Sequence, residues 1–223
     1  MYLPPHFTEA DPDEADRLIA AFPLATVVAQ TAEGLVANPL PLMRDGAGMI
    51  GHVARANRLH ELVAPGQEVL AVFRGEDGYV SPDWYPSKAE THRAVPTWNY
   101  QVVQVTAQIR WDDSDKFKRR AVGLLTRKME GAAGWKMADA PRDYMDGMLA
   151  AIVGFELQIV RVIAKTKLSQ NRSDADFAAV RRAGALERRK APAVVILEPR
   201  AGDQSVVRVP RIDERADRRA EGR

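Results

Sequence analysis

Cysteine is absent from the 223 residues. Disulfides, thiolate nucleophiles and thiolate-bound metals are therefore excluded. Histidine is scarce: His6, His52, His60 and His92 are the full set. No pair has the H-x-x-x-H spacing that puts two ligands on one helix face, so no metal site is expected. No G-x-S-x-G, Walker loop or G-x-G-x-x-G occurs. That removes the ready arguments for a hydrolase triad, a P-loop or a Rossmann nucleotide site. No apolar run approaches the ~18 residues of a membrane span. The opening MYLPPHFTEADPDEAD is acidic and lacks an apolar core, so it does not read as a signal peptide. The expectation is a cytoplasmic protein with no membrane partner. An excess of charge is also missing. The 32 basic and 30 acidic side chains leave a net charge of +2, which does not mark a nucleic-acid binder.

What is present is enough for a core. The hydrophobic content of 46% is that of a globular chain. Asp11, Pro12 and Glu14 read as a helix start, closed by Pro23. Strands are expected over 24–30, 35–43, 49–53 and 68–73, with longer ones over 98–111 and 152–164. Pro39 and Pro41 cannot donate to a ladder, which predicts a free edge or a bulge in the second strand. Asn57 reads as the cap of a helix over 58–63. Further helices are expected from Ser114 or Asp113 to about residue 129, over 144–150, and from Ser173 to about residue 182. Hairpin-length turns between the early strands argue for an antiparallel sheet or barrel, mainly β with peripheral helices. The fold domain is expected over 1–187. Residues 188–223 read as a charged, flexible tail, in which 193–197 (AVVIL) is either a docked strand or an isolated apolar patch.

Residues 78–111 hold three of the four tryptophans and three of the five tyrosines. Burying an aromatic side chain is worth roughly 1.5–3 kcal/mol, and Trp and Tyr carry polar tips that need partners. This stretch is expected to pack on its own core, a second subunit or a flat ligand. Trp98-Asn99-Tyr100 sets two aromatics around an amide at the head of a strand. A planar ring would fit there; so would a core tryptophan with its N–H satisfied.

Two other stretches are rich in donors. In Gly51-His52-Val53-Ala54-Arg55-Ala56-Asn57-Arg58 a strand meets a helix start. His52, Arg55 and Arg58 stand beside free N–H groups there, which suits a terminal phosphate. An ordinary capped helix with solvated arginines explains the same residues. Lys165-Thr166-Lys167-Leu168-Ser169-Gln170-Asn171-Arg172 packs cations, amides and hydroxyls before a second helix start, and a plain polar loop would look alike.

These residues carry a resemblance. YVSPDWY, VPTWNY, IVGFE and KLSQNRS, with GHVARAN and the opening MYLPPHF, are similar to the PaiB family of FMN-binding negative transcriptional regulators. The likeness covers roughly residues 1–187. It implies an antiparallel split β-barrel of the FMN-binding, pyridoxine-phosphate-oxidase-like type. It also implies a homodimer with flavin at the subunit interface. The FMN phosphate would lie near His52, Arg55, Asn57 and Arg58. The isoalloxazine edge would meet the strand backbone from Asn38 through Leu40 to Leu42. Trp98 and Asn99, or Lys167, Gln170, Asn171 and Arg172, would come from the partner. DNA binding is implied by the family alone, since no helix-turn-helix is apparent. The only basic cluster, Arg181, Arg182, Arg188, Arg189 and Lys190, reads equally as a solvated helix end. A flavin-dependent oxidoreductase (flavin reductase or oxidase-like) and a flavin- or haem-binding module without turnover are the alternatives.

Overall fold

In the computed structural model, residues 1–190 are described, with side chains as far as residue 184. Residues 193–197 and most of the expected tail lie outside them. The strands are β1 (Thr8–Glu9), β2 (Leu24–Thr31), β3 (Gly34–Pro41), β4 (Met43–Asp45), β5 (Gly48–Ala54), β6 (Glu68–Val80), β7 (Thr97–Asp112) and β8 (Ile152–Lys167). They form one eight-stranded sheet in the order β3-β2-β6-β7-β8-β5-β4, with β1 added beside β8. Every pairing is antiparallel.

The long strands β6, β7 and β8 form the centre of this order because alternation persists through them. On β7, Val103, Val105, Ala107 and Ile109 are fully buried, and Gln104, Thr106 and Gln108 face the other way. Phe73, Phe155 and Leu157 fill the space between. Each such burial contributes roughly 1.5–3 kcal/mol.

The sheet curls until its ends approach. Gly51 on β5 lies against Pro41 and Leu42; a Cβ there would sit 3.1 Å from the Pro41 carbonyl oxygen and 2.7 Å from the Phe155 ring. Glycine thus lets β5 cross the end of β3 at van der Waals distance, while no ladder joins the two. The fold is an antiparallel split β-barrel. Pro39 and Pro41 fall on β3, which among the described residues pairs only with β2, so the free edge expected from them is present there.

Helices close the outside. They are α1 (Pro12–Ala21), α2 (Leu59–Leu62), α3 (Ser87–Thr91), α4 (Asp115–Glu130), α5 (Arg142–Ala150) and α6 (Asp174–Lys190). Asp11 caps α1 by accepting from the Asp13 amide at 2.9 Å, and Leu18 and Ile19 enter the core. Ser114 caps α4 through the Phe117 amide.

Two expectations need correction. Residues 55–57 form a single 3-10 turn, Arg58 takes a left-handed conformation (φ 61°), and α2 has only four residues. Asn57 does not cap it. β6 also runs on past Phe73 to Val80, because Gly78, Tyr79 and Val80 find partners in Asn99, Trp98 and Thr97.

Candidate functional site

The strand-to-turn junction is built by β5 and β3. Asn57 Nδ2 donates to Asn38 Oδ1 at 2.9 Å, so the turn is tied to the edge strand. This brings together two segments that are 19 residues apart in the chain. The other groups at the junction divide by what they already do. Arg55 donates to the Ala150 carbonyl (3.0 Å), the Ile152 carbonyl (3.1 Å) and both Asp113 oxygens (2.7 and 2.9 Å). It therefore anchors the turn to the start of β8. The Asp113 carboxylate is held below its ordinary range chiefly by that guanidinium. Arg58 is exposed and pairs with Glu61 at 3.0 Å, an ion pair of the kind worth little in water, and the Glu33 carboxylate also acts on its charge. Its guanidinium is available to an anion.

His52 is half-buried, and burial lowers its pKa from the usual 6.5. At neutral pH it is a neutral donor rather than a cation. α2 is a single turn, so its dipole adds little positive potential at the junction. Leu40 points into the core, so only its backbone could meet a ligand. Along the outer edge of β3, Pro39 and Pro41 have no N–H to offer; the Pro41 carbonyl lies against Gly51, which leaves that of Pro39 as an acceptor.

The second group sits at the far ends of β7 and β8. Lys167 Nζ donates to Thr97 Oγ1 at 2.5 Å and to the Trp98 carbonyl. Burial lowers its pKa, Tyr100 opposes this, and Lys165 and Arg172 add to it. Ser169 is buried with φ 70°, and its hydroxyl donates to Asn99 Oδ1 at 3.0 Å. Gln170 closes the turn by donating to the Thr166 carbonyl and accepting from the Leu168 amide. The Arg172 guanidinium lies over the buried Tyr85 ring, 4.6 Å from its centroid. Asn171 is exposed. Trp98 is 54% exposed, edge-on to Tyr79 at 6.1 Å. It is not a core tryptophan.

The two groups do not meet along the strand they share. From Gly154, the β8 partner of His52, to Lys167 the strand path is about 40 Å at ~3.3 Å per residue.

Residues 1–161 match the family described as "Putative FMN-binding domain". The chain belongs to this FMN-binding family. Its relatives include Protease synthase and sporulation protein PAI 2 of Bacillus subtilis, 27% identical over 183 residues, which cover 79% of this chain and 86% of that one. A yeast protein, YKL070W, is 44% identical over 69 residues, 30% of this chain and 41% of its own length. Among solved structures, the flavocytochrome Anf3 from Azotobacter vinelandii superposes with a TM-score of 0.58 at 15% identity, covering 92% of this chain and 88% of that one. The FAD and heme binding protein from Mycobacterium smegmatis superposes with a TM-score of 0.55 at 20% identity, covering 77% and 79%. Those likenesses establish the fold.

FMN is the cofactor of the family, and the junction suits it chemically. A phosphate needs donors, which Arg58, Asn57 and neutral His52 can supply. The flavin ring N3–H needs an acceptor, which the edge carbonyl of Pro39 can supply. Bound FMN would contribute redox chemistry and visible absorbance.

Tyr2 and Asp113 complete the two groups with no sequence signal as ligands, while Lys165 and Ser169 belong to the donor-rich stretch 165–172. Only the i, i+2 spacing of Lys165 and Lys167 hinted that both face one side of β8.

Proposed function

We propose that this protein is a cytoplasmic FMN-binding homodimer of the PaiB regulator type, with flavin held between two copies. The observation that carries the reading is the Asn57–Asn38 hydrogen bond, which makes one continuous wall of the turn and the β3 edge. The phosphate lies toward His52, Asn57 and Arg58, and the ring toward the backbone from Asn38 through Leu40. Arg55 holds the turn in place from behind. The partner copy supplies Trp98, Asn99 and the segment Lys167, Gln170, Asn171 and Arg172. The strand separation of the two groups supports this, since one flavin would have to reach along about 40 Å of β8 to touch both in one chain. Trp98 and Tyr79, both exposed, are the large aromatic surfaces such an interface uses.

The regulatory role rests on the relationship to the PaiB type. Net charge is small and no groove-reading element stands out, so specific DNA binding is expected to be weak or indirect. A footprint at nanomolar protein and physiological salt would overturn that.

Gentle purification, an absorption spectrum and mass spectrometry of the released cofactor test the flavin. Sedimentation at micromolar concentration tests the dimer. FMN release and a dimer are expected; a monomer that binds no flavin would refute the reading. Rapid bleaching by NADH or NADPH would assign turnover as well.

A further inference from the structure

Lys165 and Lys167 lie on the same side of β8, facing Val102 and Tyr100 on β7. Both ammonium groups rest on one ring. Lys165 Nζ is 5.2 Å and Lys167 Nζ 5.9 Å from the Tyr100 centroid. Tyr2 covers Lys165 at 5.7 Å, and Phe7 flanks Lys167 at 5.9 Å. Lys165 is only 6% exposed.

Buried lysines are normally paired with a carboxylate. Lys118, the other buried lysine among the described residues, follows that rule through Asp113 and Asp115, each at 3.2 Å. Lys165 and Lys167 do not. Among the described residues neither has a carboxylate within ion-pair distance. Lys165 donates to the Tyr2 carbonyl at 3.1 Å, and Lys167 to Thr97 and the Trp98 carbonyl. All three partners are neutral. Aromatic faces offset part of the cost of holding a buried and a half-buried ammonium together, but the ring that attracts each of them also holds the two near one another. Burial and the Lys165 charge both work against the charged form of Lys167.

We propose that Lys165 and Lys167, set around the Tyr100 ring, form a binding subsite for the oxyanion of a small carboxylate or phosphate ligand other than FMN. An oxyanion would supply the missing countercharge and take charge-assisted hydrogen bonds from both ammonium groups. Tyr2 is 82% exposed, so its ring and carbonyl form a cover that can be displaced without breaking the core. The position of this subsite beside a flavin ring rests on the dimer reading above; the subsite itself is complete within one chain.

The test is calorimetric titration of the full chain with inorganic phosphate and with acetate, in three forms: flavin-free, saturated with FMN, and saturated with riboflavin. Phosphate binding is expected in all three. Lys165→Met and Lys167→Met should each weaken it about tenfold or more. Lys165→Arg, which keeps the charge, should recover much of the affinity. Thermal melting confirms that each variant is folded. Unchanged phosphate affinity in both folded Met variants would overturn the proposal. So would phosphate binding that FMN abolishes and riboflavin does not, because the oxyanion would then be that of the flavin. If no flavin binds but phosphate does, in a lysine-dependent way, the subsite stands and the flavin reading fails.

Discussion

Asn57 Nδ2 and Asn38 Oδ1 stand 2.9 Å apart and join the end of β5 to the edge of β3. Neither residue is buried, so the bond orders a surface more than it holds the fold. Asn57→Ala and Asn38→Ala should each leave stability within about 0.5 kcal/mol. Each should weaken FMN by roughly 0.5–1.5 kcal/mol. The double variant should lose less than the sum, because the second change removes a bond already gone. Flavin fluorescence titration beside thermal melting checks this. Additive losses would show that the two residues act on flavin separately.

Arg55 and Arg58 should part company. Arg58→Ala is expected to weaken FMN roughly ten- to a hundredfold and riboflavin much less, because only FMN carries the phosphate. Arg58→Lys should restore part of this, since lysine keeps the charge without the planar fork. Arg55→Ala should lower the melting temperature and affect both ligands alike, as the turn loses its hold on Asp113, Ala150 and Ile152. Titration of each variant with both flavins decides it. Equal losses for Arg58→Ala would make that residue a fold element.

Gly51→Ala should destabilise the barrel by about 1–3 kcal/mol. The new methyl would lie 2.7 Å from the Phe155 ring, 2.9 Å from a Leu42 methyl and 3.1 Å from the Pro41 carbonyl oxygen, so both side chains would have to shift and β3 would be pressed away from β5. Urea unfolding gives the stability change, and FMN affinity should fall with it because the same two strands bound the site. A neutral substitution would mean that the crossing is looser than this geometry.

The Lys167 ammonium has a pKa below the usual 10.5, mainly through burial. Between the folded value and 10.5 the unfolded chain binds more protons than the folded one. Stability contributed by this group therefore rises with pH through that window and levels off above it. Lys167→Met should flatten the rise. Chemical denaturation at a series of alkaline pH values reads the difference directly; parallel curves for the two proteins would contradict it.

Much of the sheet was legible in the sequence because alternation is local. Residues 98–111 and 152–164 read as strands and are strands. Pro39 and Pro41 announced an edge, and β3 is one. The ends were harder. β6 continues through Gly78 only because 97–100 lies beside it, and no local pattern reports that pairing. Asn57 illustrates a second limit. Asparagine before a short apolar run suits a helix cap and a tight turn equally, and the choice was made by Asn38, 19 residues away. Arg55 shows a third. Its guanidinium is held by Asp113 and by the Ala150 and Ile152 carbonyls, partners that lie 58 to 97 residues away and that no local pattern reports. The donor-rich segment 165–172 was visible as composition, but Ser169 with its positive φ and its bond to Asn99 was not.

The two prolines of β3 also limit how copies of this chain can approach one another. They stand two positions apart, so the N–H groups they lack belong to the same side of the strand. A strand offered by a second molecule would find no donors over the last stretch of that side. Growth of the sheet by edge-to-edge addition is therefore blocked at this end. Two molecules that associate do not do so by adding a strand along this stretch, where the Pro39 carbonyl is left for a ligand too small to be a strand.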